Sequence, residues 1–186
     1  HKEYRRQRQM CIRDRLQAFI QDALNGKQLI HVDKEHIQPL AFAIQKQALD
    51  TQHPVFYIDS PDDLICSARV FKRQFNQQGQ WQQPGGLLYE FIQNNKDNAP
   101  VFIINYAKFS ADDIARISNS LYDKTASADG VPLPEKSIIV GLSDPNIGYT
   151  GADFYSRFNK INNYPKELSI PILPIFQDLS LIHISE

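Results

Sequence analysis

Four apolar residues in succession, Val101-Phe-Ile-Ile104, stand behind Pro100 and in front of Asn105. A run this short that is apolar at every position predicts a strand buried on both faces, as in the interior of a parallel sheet. Its C-terminal tip, the end at which open α/β sheets bind ligands, is the polar step Asn105-Tyr106. Ser110-Ala-Asp-Asp113 follows, a Ser-x-x-Asp arrangement that can cap a helix start. A chain holding this unit must cover both faces of the strand, which calls for helical layers on each side of a sheet.

The rest of the sequence repeats the pattern. Gln28–Val32 predicts a strand ending at Asp33, Val55–Ile58 one ending at Asp59, and Ser137–Leu142 one followed by Ser143-Asp144-Pro145-Asn146. Helices are expected over Leu16–Leu24, closed by Asn25-Gly26, and over Ile37–Leu49, where Ile37, Leu40, Ala41, Ile44 and Ala48 share a stripe. Another should run from Ser60 to about Phe75, with Pro61 at its first helical position. Leu87–Ile92, Ala111–Tyr122 and Gly151–Ile161 complete the helices, while Asn76–Gln83 and Asp123–Glu135 read as a loop and a loop or hairpin. Leu168–Ile175, broken by Pro171 and Pro174, is expected as the last strand. The alternation predicts a three-layer α/β fold: a mostly parallel sheet of about five strands with helices on both faces.

The two ends read differently. Met10-Cys-Ile-Arg-Asp14 can be encoded by ATG TGT ATA AGA GAC, and Leu179-Ser-Leu-Ile-His-Ile184 by CTG TCT CTT ATA CAC ATC. These strings are reverse complements over most of their length, and they resemble the transposase-end adapter of a sequencing library. Residues 1–15 and 179–186 are therefore expected to be adapter-derived, as in a metagenomic read, leaving 16–178 as a single domain from a larger protein. The alternative is a basic N-terminal arm for nucleic acid or membrane.

Without those flanks the chain holds 14 Lys and Arg against 18 Asp and Glu, a net charge of −4. A mildly acidic domain offers no electrostatic footprint for nucleic acid. Cys66 is then the one cysteine, so neither a disulfide framework nor a cysteine-rich zinc site is expected. No apolar run approaches the roughly 20 residues of a membrane span. The expectation is a soluble, cytoplasmic domain with no nucleic-acid or membrane partner.

Asp33, Asp59, Asn105 and Asp144 each follow a predicted strand and should face the crevice at the strand tips. Their oxygens could bind a cofactor, with Asp33, Asp59 and Asp144 holding Mg²⁺ for phosphate chemistry. Equally, Asp and Asn favour strand-to-helix junctions because they cap helices and make Asx-turns. The first junction, Val32-Asp-Lys-Glu-His-Ile-Gln-Pro39, has no glycine, and Gly85-Gly86 lacks the G-x-x-x-x-G-K-[ST] spacing of a phosphate loop. His31, His36 and His53 show no metal-ligand spacing among themselves, and no metal site is expected.

From Pro100 onward the order of motifs resembles the AAA+ ATPases, in particular the branch with MoxR, dynein and midasin modules. Val101–Ile104 matches the Walker B strand, Ile138–Leu142 the sensor-1 strand, and Ser143-Asp-Pro145 the polar step after it. Asp153-Phe-Tyr-Ser-Arg-Phe158 is similar to the arginine-finger segment, with Arg157 in the finger's place. The resemblance spans about Gln28–Ile175 and implies a P-loop NTPase-like strand order, with ATP and Mg²⁺ as the family's cofactors. It also implies Arg157, Asn105 and Asp144 as the catalytic positions, Arg157 acting in trans on a neighbouring module. The departures are as informative. Walker A is absent, and Asn105-Tyr106 stands where the family has Asp-Glu, so neither a second carboxylate for Mg²⁺ nor a base for water is supplied. Asp144 adds negative charge where a neutral sensor would meet a triphosphate.

The expected function is a degenerate AAA+-like module with a structural or interaction role, packing against neighbouring modules or other domains of a parent protein. The alternatives are an active Mg²⁺-dependent phosphate-handling enzyme and an AAA+ ATPase with a nonstandard phosphate loop.

Overall fold

The structure, a computed structural model, describes residues 2–66, 74–75, 78, 81–82, 86–118, 121, 125–146 and 151–168. Helix α1 (Lys2–Ala23) leads into strand β1 (Lys27–His31), and α2 (Lys34–Asp50) into β2 (Val55–Ile58). A short antiparallel pair, β3 (Gln74–Phe75) and β4 (Trp81–Gln82), precedes α3 (Leu87–Asn94) and β5 (Val101–Asn105). Then come α4 (Ala111–Ser118), β6 (Ile138–Ser143), α5 (Ala152–Ser156) and β7 (Lys160–Asn163).

Among the described residues the main sheet has five strands, all parallel, in the order β2-β5-β6-β1-β7. Strand β5 is buried at every residue because it lies inside the sheet, with β2 on one side and β6 on the other. Its side chains alternate between two cores. Val101 and Ile103 join Ile30, Val140 and Leu142 against Leu16, Ile20, Ile37, Leu40 and Ile44 of α1 and α2. Phe102 and Ile104 join Leu29 and Ile139 against Leu88, Ile92, Ile114, Ile117 and Phe154 of α3, α4 and α5. Fully burying one such aliphatic or aromatic side chain is worth roughly 1.5–3 kcal/mol, so these two layers supply the main drive for folding. The three-layer α/β architecture is the one the strand–helix alternation predicts.

Local signals account for several boundaries. Asn25-Gly26 ends α1, with Gly26 at φ +76°, a backbone state that glycine tolerates. At α4, Ser110 Oγ accepts from the Asp113 N–H at 3.1 Å and Asp113 Oδ2 accepts from the Ser110 N–H at 3.0 Å. That is the reciprocal cap the Ser-x-x-Asp spacing predicts. These bonds hold the Asp113 carboxyl below its ordinary value.

Three expectations change. The helix from Ser60 reduces to a 3-10 turn over Pro61–Leu64, residues 67–73 lie outside the described residues, and Phe75 belongs to β3. Trp81-Gln82, expected as loop, is its partner β4. The fifth strand described is Lys160–Asn163, which begins inside the helix expected over Gly151–Ile161; of the strand expected over Leu168–Ile175, Leu168 closes a 3-10 turn and 169–175 lies outside the described residues. Among the described residues, strand β7 pairs along one side with β1 and leaves Ile161 45 % exposed, so it carries no apolar pattern for the sequence to show. It also cuts α5 short: the Asn159 N–H donates to the Lys27 carbonyl at 2.7 Å, and Asn159 Oδ1 accepts from the Lys27 N–H at 3.0 Å. Helix α1 reaches back through the segment read as adapter-derived, and Ile12 and Leu16 are among its residues that pack on the core. Among the described residues, no helix is long and apolar enough to cross a membrane.

Candidate functional site

A parallel sheet brings all its C-terminal strand ends to one edge, and the sheet order fixes which tips are neighbours. Along that edge stand Asp59 after β2, Asn105 ending β5, Asp144 after β6 and Asp33 after β1. Three strand spacings separate β2 from β1, placing Asp59 about 14 Å from Asp33. Mg²⁺ holds its oxygens at about 2.1 Å, so one ion cannot take both carboxylates. The structure does not assemble the site Asp33, Asp59 and Asp144 would need.

Asn105 is buried and its amide is engaged at both ends. Its Nδ2 donates to the Tyr57 hydroxyl at 3.2 Å, and its Oδ1 accepts from the Ala107 N–H at 3.1 Å, capping the turn Tyr106–Lys108. Burial raises the Tyr57 phenol above its ordinary pKa, and the charge of Asp59 adds to the effect while the Asn105 bond opposes it. These bonds are the side-chain capping role of Asn at a strand exit.

Tyr106 turns inward and is fully buried. Its ring packs edge-on to Phe109 (5.3 Å, 71°) and Phe154 (5.2 Å, 81°). It also lies over Gly141 of β6, where an added Cβ would come within 2.7 Å of the Tyr106 ring. The phenol oxygen has no hydrogen-bond partner among the described residues, and burial pushes its pKa well above the ordinary value.

Asp144 acts across the sheet. Its Oδ2 accepts from the Lys34 N–H at 3.1 Å, at the start of α2, and its Oδ1 accepts from the Asn146 N–H at 2.8 Å. A carboxylate is favoured there because a helix N-terminus has unpaired N–H groups and a partial positive charge. Asp33, the residue at the cap position of α2, makes no side-chain cap hydrogen bond. Arg157 follows the last turn of α5, half-buried, with its backbone N–H donating to the Phe154 carbonyl at 3.4 Å.

Two polar groupings escaped sequence reasoning. Ser143 Oγ and His31 Nδ1 lie 3.0 Å apart, and the His31 ring is 6.2 Å from that of Tyr155. Burial lowers the His31 pKa. Ser143 is fully buried, so the pair ties β6 to β1 instead of presenting a nucleophile. Only the strand order, which makes His31 and Ser143 register partners, could have joined them. The second grouping is Asp33, Glu35 and His36, whose ligand atoms lie within 4.8 Å of one another. Its signal was a mixed spacing, Asp-x-Glu-His, where a search among histidines alone finds nothing.

A cleft of about 280 Å³ lies away from the tips, near the N-terminal ends of β5 and β6, lined by Ile92, Lys96, Val131 and Leu133 among others. In comparisons with known proteins, no family model and no curated protein matches the chain.

Proposed function

We propose that the chain is a degenerate AAA+-like module that serves as a structural or interaction domain and hydrolyses ATP poorly or not at all. The observation that carries this reading is Tyr106. In an AAA+ core the position after the Walker B aspartate holds the carboxylate that activates water. Here that position is a phenol locked in the core between Phe109, Phe154 and Gly141, with no route to a nucleotide. The strand order supports the family resemblance: the first strand lies between the sensor-1-like β6 and the last strand β7, and the Walker-B-like β5 lies between β6 and β2.

ATP and Mg²⁺ do not fit the residues present. Asn105 has both ends of its amide engaged within the protein, and Asp144 already sits on the N–H where α2 would receive a phosphate. In this reading Arg157 acts in trans, on a nucleotide held by a neighbouring module, and the partners are other modules or domains of a larger protein. Calorimetric titration of the full chain with Mg-ATP tests the proposal. The expected result is no saturable heat; micromolar binding, or steady phosphate release, overturns it.

A further inference from the structure

We propose that Asn25 is a site of spontaneous covalent modification, its side-chain amide being attacked in the folded protein by the backbone nitrogen of Gly26 and converted to aspartate and isoaspartate. The inference is independent of the AAA+-like reading. Asn25-Gly26 is the single Asn-Gly step in the sequence. Both residues are exposed, in the turn that joins α1 to β1. Among the described residues, the Asn25 side chain and the Gly26 N–H have no hydrogen-bond partner. Electrophile and nucleophile thus stand side by side in one turn with nothing engaging either, and no Cβ on Gly26 crowds the approach. The Gly26 nitrogen adds to Asn25 Cγ and gives its proton to solvent. The Cγ–Nδ2 bond then breaks, and Nδ2 takes up a proton and leaves as ammonia. Water hydrolyses the five-membered succinimide: opening at Cγ gives aspartate, and opening at the main-chain carbonyl gives isoaspartate, whose backbone runs through Cβ and Cγ.

The glycine that makes the step reactive is one the turn demands. Gly26 sits at φ +76°, and an added Cβ would come within 3.0 Å of Asn159 Oδ1, so a larger residue there is strained and crowded. The comparable step Asp129-Gly130 shows the opposite arrangement. The Gly130 N–H donates to the Ser127 carbonyl at 3.0 Å, and Asp129 Oδ1 accepts from the Cys66 N–H at 2.9 Å and the Ser127 hydroxyl at 2.7 Å. Ring closure there must first break those bonds, so the fold protects one turn and leaves the other open. At Asn25 the product also matters to the fold. A new carboxylate stands at the C-terminal end of α1, where the helix already carries partial negative charge. Isoaspartate further lengthens the backbone between two contacts that fix α1 to the sheet. These are the Asn25 carbonyl accepting from Gln28 Nε2 at 2.9 Å and the Gly26 carbonyl accepting from the Ile139 N–H at 3.0 Å.

The test is peptide mapping by mass spectrometry of the full chain aged in mildly alkaline buffer, both folded and in guanidinium, with isoaspartate counted by enzymatic methylation. In the folded chain the peptide carrying Asn25 should gain about one dalton ahead of every other asparagine, at a rate within about tenfold of that in guanidinium. Isoaspartate at Asp129 should form in guanidinium and not in the folded chain. Asn25→Gln, whose side chain would have to close a larger ring, should abolish the gain with unchanged circular dichroism. Aged wild type should melt below fresh wild type, and aged Asn25→Gln should not. An Asn25 that reacts in guanidinium but stays intact in the folded chain overturns the proposal. So does isoaspartate forming in the folded chain as fast at Asp129 as at Asn25.

Discussion

Replacing Tyr106 by Phe should make the protein more stable. The ring would keep its packing on Phe109, Phe154 and Gly141, and only the hydroxyl would go. In the unfolded chain that hydroxyl is hydrated, whereas in the folded chain it is buried without a partner among the described residues. Leaving one buried polar group unsatisfied costs about 1–3 kcal/mol. Removing the oxygen vacates one atom's volume and gives back part of that gain, so a net stabilisation of about 1 kcal/mol is expected. In urea unfolding followed by circular dichroism, the midpoint should rise with the slope unchanged. For a domain of this size the melting temperature should rise by about 2–4 °C. A loss of 1 kcal/mol or more would refute the reasoning. It would mean that the phenol holds a hydrogen bond in the folded state, and that the β5 tip is open to a water or ligand. Tyr106→Glu should behave oppositely: an unpaired carboxylate in this aromatic core either costs several kcal/mol or stays protonated, and ATP hydrolysis should not appear.

Gly141→Ala should destabilise by about 1–3 kcal/mol, because its Cβ would meet the Tyr106 ring at 2.7 Å and Leu29 at 3.1 Å. A Tyr106→Leu background should relieve part of that cost in a double-mutant cycle read by urea unfolding. Asp144→Ala should cost about 1 kcal/mol by stripping α2 of its cross-sheet cap, and should speed hydrogen exchange at the Lys34 amide. Burial lowers the His31 pKa, so the folded state favours the neutral ring; its contribution should be complete above about pH 6.5 and decline as pH falls through the lowered value. Stability measured from pH 8 to 5 should therefore slope less in His31→Gln than in wild type.

The parts of the fold legible in the sequence were those fixed by local chemistry and by two-sided burial. Val101–Ile104 announced an interior strand because every one of its side chains meets a core. Ser110 and Asp113 announced a cap because both bonds are made within four residues. Strand β7 was illegible because its mostly polar side chains leave it dependent on backbone pairing with β1, which leaves no pattern in Lys160-Ile-Asn-Asn163. The site followed the same division. Asp33, Asp59, Asn105 and Asp144 were correctly expected at the strand exits, where Asx chemistry is local. Their separation, the reach of Asp144 to α2 and the inward turn of Tyr106 all depend on which strands are neighbours, and so on residues far apart in sequence.

The sheet order also dictates when the protein can fold as it leaves the ribosome. Among the described residues, strand β2 pairs with β5 and β1 pairs with β6 and β7, so the first two strands share no ladder. The ladders described for the main sheet wait for Val101 to be synthesised, and β1 waits longer still, for Ile139 to arrive as the partner of Lys27. The apolar stripes of α1 and α2 are left without their strand layer through that interval. Such late, non-local closure predicts slow folding, with apolar surface exposed meanwhile. A break anywhere before β5 would yield an N-terminal piece with helices, and at most the β3–β4 pair, but none of the ladders described for the main sheet.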